Sequence, residues 1–216
     1  MKRIYTILIL TFLIIGTSMA YAQEIENLFD NPGFEEGKGR DLLSIPGWAI
    51  YAQENATGLI SIDDEEQIEG DQCVMVEVTA VPAGGSWNLR FDHARRFSVE
   101  KNETYTMSFW LKGDPGPITL SPSRGEVNEA GEWGNLASKQ VNPTLDWQEY
   151  YLTFTSTEDR LVMWQLLISN PKHVYYVDHA RCYVGDYVED EFDTLPVKAV
   201  SSAGKLATKW GSLKLR

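Results

Sequence analysis

Glycoside hydrolysis needs two carboxyl groups flanking the bond to be cut. The carboxylates Glu126, Glu129 and Glu132 crowd one glycine-bearing stretch around Trp133 and could be drawn on for such work. They read equally well as the solvated face of a loop. His93, His173 and His179 fall in three separate segments, and no G-x-S-x-G accompanies them, so no nucleophile and base are paired. Cys73 and Cys182 stand far apart without a C-x-x-C, which excludes a redox pair or a cysteine-rich metal site. Two readings of them stay open: unlinked core thiols, or a disulfide closing a long loop after export. No catalytic residue is expected, and the chain is read as not an enzyme.

A second set of residues suits binding. In a strand, side chains alternate between faces, so Trp87, Leu89 and Phe91 oppose Asn88, Arg90 and Asp92. By the same rule Tyr105, Met107, Phe109 and Leu111 read as core, leaving Thr106, Ser108, Trp110 and Lys112 on the other side. Gln165 alternates with the apolar Trp164 and Leu166. Were these strands stacked in one sheet, Asn88, Arg90, Asp92, Trp110 and Gln165 would form a polar, aromatic surface. Such a surface suits a pyranose, whose apolar C–H face stacks on a ring while amides or charged groups satisfy the hydroxyl rim. A guanidinium only donates, so Arg90 suits a sugar carboxylate or sulfate, or else pairs with Asp92 or with a carboxylate on a neighbouring strand. Trp133 would close over a ligand or plug the end of the fold, and a loop as long as 121–143 is functional or disordered.

The elements that carry these residues are short and lack helical period. Runs of β-branched and aromatic residues, such as Cys73 to Val78, Trp147 to Thr155, Leu161 to Ser169 and Val174 to Val184, are separated by Gly, Pro, Asn and Asp. Many short strands at this spacing predict an all-β sandwich or jelly roll. Residues 1–22 read as a signal peptide: Lys2 and Arg3, an apolar run from Ile4 to Ile15, then Ala20-Tyr21-Ala22. A domain over 23–185 and an acidic linker with a basic tail over 186–216 complete the expected organisation. Acidic side chains outnumber basic ones, 31 to 19, which argues against nucleic acid, whose phosphates need Lys and Arg. No later run is long enough to insert in a membrane. A secreted protein results, whether extracellular, periplasmic or at the cell surface.

Three segments, taken in order, resemble the carbohydrate-binding modules of the 4/9 type, jelly rolls of the galactose-binding-like superfamily. They are Asn27-Leu28-Phe29-Asp30-Asn31-Pro32-Gly33-Phe34-Glu35-Glu36-Gly37 with Pro46-Gly47-Trp48, then Trp87 to Phe91 running on to Tyr105 through Gly113, then Trp147 to Thr155 with Tyr175-Tyr176-Val177-Asp178-His179. The resemblance implies a concave sheet face that takes a polysaccharide or oligosaccharide, with Trp48 and Trp147 as framework. It also implies a structural calcium held by Glu35, Asp178 and backbone carbonyls, a set of oxygens suited to that ion. His179 stands where the family usually has a second Asp, and Arg90 where it has Gln. The fold hosts many jobs, so a surface protein that binds protein partners, attached through the tail, is the alternative to sugar binding.

Overall fold

Alternation is obeyed most strictly in β7 (Thr104–Gly113), where Tyr105, Met107, Phe109 and Leu111 all enter the core. The opposite face of that strand is covered as well, which is the first departure from expectation. The computed structural model describes residues 25–81, 86–124, 134–168 and 170–190. The expected signal peptide, the loop carboxylates Glu126, Glu129 and Glu132, Trp133, and the tail from residue 191 lie outside those residues.

Two antiparallel sheets face each other. One has the order β10-β7-β12-β4-β3, built from β10 (Gln148–Thr155), β7, β12 (Val174–Val184), β4 (Cys73–Ala80) and β3 (Thr57–Asp63). The other runs β1-β2-β5-β11-β8-β9: Ser44–Ile45, Trp48–Ala52, Leu89–His93, Arg160–Ile168, Ile118–Ser123 and Lys139–Val141. A short β6 (Phe97–Val99) continues the β5 side by pairing with the start of β11. Among the described residues no helix is long and apolar enough to cross a membrane. This is the all-β sandwich the strand pattern predicts.

The sheets are joined by aromatic packing. Trp48 stacks on Phe91 with centroids 5.1 Å apart, and Phe29, Phe34 and Phe109 close around it. Such offset and edge contacts add about 0.5–1.5 kcal/mol each to the burial of the rings. The Trp48 indole donates to the carbonyls of Asp30 and Asn31, tying the N-terminal segment to β2. Gly47 before it has φ +80°, and a Cβ there would lie 2.8 Å from the Asp30 carbonyl oxygen, so the Gly-Trp pair is demanded by this turn. His93 accepts from the Asp30 amide through Nε2, and its burial holds it below the ordinary histidine range. Cys73 and Cys182 are free thiols in the core, which selects the unlinked reading.

Residues 186–190 do not leave the domain as a linker. Tyr187 stacks on Tyr151 at 3.6 Å, the Val188 amide donates to the Tyr183 hydroxyl, and Asp190 is buried against β12. This strap crosses the outer face of the β10-β7-β12 sheet.

Candidate functional site

The outer face of the other sheet is left open. On β5 the core takes Leu89, Phe91 and His93, so Arg90 and Asp92 turn outward; on β11 Trp164 and Leu166 turn in, and Met163, Gln165 and Leu167 turn out. Register then aligns rows across the strands. Tyr51, Arg90, Leu167 and Thr119 make one, and Ala49, Asp92, Gln165 and Ser121 the next. Above them lies a cleft of about 690 Å³, bounded by Tyr51, Gln53 and Trp87 on one side and by Ser123, Asn135 and Ser138 on the other. That volume is within the range of sites for small ligands.

The floor is polar and poorly satisfied. Arg90 Nε, Asp92 Oδ1, Gln165 Oε1 and Ser121 Oγ are all buried without a hydrogen-bond partner. Arg90 Nε lies 3.4 Å from Asp92 Oδ2, an ion pair whose alignment falls short of a hydrogen bond. The Arg90 guanidinium also stacks over the Tyr51 ring at 3.9 Å. Burial pushes the Asp92 carboxyl up to about 6, against the pull of Arg90 and Arg96. Each orphaned buried group costs about 1–3 kcal/mol, so four side by side on one open face form a surface that awaits hydrogen-bonding matter from outside.

The site departs from the expected row at four residues, two that leave it and two that join. Trp110 is on the wrong sheet: β5 and β11 pair directly, whereas β7 belongs to the opposite layer. There Trp110 is only 4% exposed and donates its indole N–H to Asp190 of the strap, so it is a packing residue. Asn88 is 2% exposed and is spent on the neighbouring turn, accepting from Gln53 and donating to Glu54. Trp87 moves the other way. Alternation put it in the core, but it sits in a 3-10 turn (Ser86–Asn88) and is 54% exposed at the cleft rim. The turn residues Pro82 to Gly85 just before it were the signal that period two starts only at Leu89. Tyr51, 45% exposed, was missed as well, because β2 is too short to show alternation clearly.

The residues proposed for calcium have other partners. Asp178 accepts the amides of Ile68, Glu69 and His179, and Glu35 Oε1 accepts those of Asp71 and Gln72. Two carbonyls of the Phe34–Gly37 turn are taken by the Gln72 side-chain amide at 2.7 and 2.9 Å. Burial pushes Asp178 up to about 6, against these amide donors. Among the described residues no group of three or more His, Cys, Asp or Glu side chains is disposed to hold a metal ion. The amide donors make Glu35 and Asp178 anchors for the loop 68–72.

A cleft with aromatic rims across one sheet of an antiparallel sandwich is the architecture of carbohydrate-binding modules. The 4/9-type family described as carbohydrate binding domain matches residues 26–164, and the chain belongs to it. A solved family 4 carbohydrate-binding module is similar at 22% identity and a TM-score of 0.56, covering 73% of this chain and 99% of that one. An arabinose-bound α-L-arabinofuranosidase, MgGH51, is similar over 74% of this chain but 27% of its own, at 15% identity and a TM-score of 0.53. The module TmCBM61, solved with β-1,4-galactotriose, is similar at 18% identity and a TM-score of 0.49, over 74% of this chain and 99% of that one. No curated protein matches the sequence.

Proposed function

We propose that this chain is an exported, non-catalytic protein that holds a polysaccharide or oligosaccharide in the cleft on the β1-β2-β5-β11-β8-β9 sheet. The single observation that carries the reading is the unsatisfied polar floor of Arg90, Asp92, Gln165 and Ser121 beneath two exposed aromatic rings, Tyr51 and Trp87. Sugar hydroxyls both donate and accept, so they can satisfy the floor, while a ring face buries the C–H side of the pyranose. Membership of a carbohydrate-binding family supports the ligand class. Export rests on the basic and apolar start of the sequence.

Affinity electrophoresis through gels containing a panel of polysaccharides tests the reading. At least one polymer should retard the protein, and Trp87→Ala or Gln165→Ala should sharply reduce the retardation. No retardation across the panel contradicts it, and release of reducing sugar from any polymer contradicts the non-catalytic part. The site is further proposed to work without calcium, a reading supported by the backbone amides that both Asp178 oxygens and Glu35 Oε1 accept.

A further inference from the structure

The floor of the cleft has a handedness in its hydrogen bonding. Asp92 Oδ1 and Gln165 Oε1 are acceptors, and Ser121 Oγ serves as either donor or acceptor. They lie in one row because Gln165 on β11 is paired with Asp92 on β5 and with Ser121 on β8. The orphaned guanidinium donor of the floor, Arg90 Nε, already faces a carboxylate oxygen at 3.4 Å, and its guanidinium is stacked on Tyr51. We infer that Asp92 is a selector: by neutralising Arg90 it makes the cleft read the hydroxyls of uncharged sugars and reject carboxylated ones. This inference rests on the carbohydrate-binding reading above and names the ligand class within it.

Selection here follows from the number of donors a ligand brings. A hydroxyl brings a hydrogen to each orphaned acceptor, whereas a uronate carboxylate brings only further acceptors and a like charge towards Asp92. Discrimination of this kind is strong, because the wrong ligand leaves buried groups unpaired. Arg90 then has two tasks, holding the Tyr51 ring in place and holding Asp92 ionised. Asp92 thus offers Oδ1 to a ligand hydroxyl and, through Oδ2, sets the charge of Arg90. The charged groups that face it are Arg90 on its own strand and Arg96 beyond the end of β5; from β2 and β11 the paired residues are Ala49 and Gln165, neither of which carries charge. Protonating Asp92 should therefore free positive charge in the cleft, as its removal would. Its elevated pKa of about 6 places that step in an accessible range.

The test compares affinity gels containing neutral polymers (a β-glucan, a xylan, a galactan) with gels containing polygalacturonate. At pH 7.5 the wild type should bind at least one neutral polymer, and polygalacturonate at least tenfold more weakly. Asp92→Asn should reverse the order, with neutral binding falling and polygalacturonate binding rising severalfold. Taking the wild type from pH 7.5 to pH 5 should move the two affinities the same way, a readout that does not require the variant to fold. Wild-type preference for polygalacturonate, or an order unmoved by both Asp92→Asn and pH, overturns the selector while leaving sugar binding intact. Failure to bind any polymer overturns the underlying reading instead.

Discussion

Trp87 rims the cleft with half its surface exposed, whereas Trp110 is buried on the other sheet with its indole N–H on Asp190. Alternation assigns a side chain to a face but not a strand to a sheet, so Trp110 was placed beside Arg90 although β7 and β5 lie in opposite layers. Trp87 was lost because alternation was extended back through a turn in which it does not hold. The shared outward face of Arg90 and Asp92 was legible, since residues two apart on a strand share a face, and the structure sets Gln165 beside Asp92 on it. The reassignment makes opposite predictions for the two rings. Trp110→Ala should cost about 3–5 kcal/mol of stability, read as a fall in the denaturant midpoint, with polysaccharide binding kept in the protein that remains folded. Trp87→Ala should leave stability within about 0.5 kcal/mol and weaken binding about tenfold or more, ~1.4 kcal/mol.

β12 is the element that fastens the molecule together. Between Asp178 and Arg181 its register against β7 shifts, and His179 takes φ 42°, a bulge that swings its ring out of the ladder. That ring bridges Glu69 in the loop before β4 and Asp190 in the strap, the second contact at 2.8 Å, while Arg181 pairs with Glu149 and lies 3.4 Å from Asp190. Burial opposes the His179 charge, but the hydrogen bonds to Asp190 and Glu69 outweigh it and push the group up to about 9. A raised histidine pKa gives stability that is fully present below the unfolded value of about 6.5. That contribution is lost as pH rises through about 9. The melting temperature should therefore fall between pH 7 and pH 10 by more in the wild type than in His179→Gln; equal falls would show that the bridge contributes nothing. The strap was illegible in the sequence because an acidic run such as Asp186 to Asp193 ordinarily marks a solvated linker, and only the fold reveals the cations beneath it.

At the scale of the whole molecule the sandwich was the most legible feature, since it rests on many strands and turns rather than on any one residue. The same redundancy explains why the ordered segments, and Gly47-Trp48 in particular, point to the family. The part played by Glu35 and Asp178 was the least legible feature. The loop 68–72 supplies both with amide donors, a contact between distant segments that no motif encodes. A chelator should accordingly leave the melting temperature unchanged, whereas a drop reversed by added calcium would establish a bound ion through linkage. The two faces are divided in function by this account: the β10-β7-β12 face is sealed by the strap, and the opposite face is open for ligand.

The most direct measurement of that division is the indole N–H region of a two-dimensional NMR spectrum, recorded while a bound oligosaccharide is titrated in. The cleft account requires the Trp87 signal to shift with ligand concentration and the Trp110 signal, held against Asp190 on the far sheet, to stay in place. A shift of Trp110 with Trp87 unmoved would contradict it.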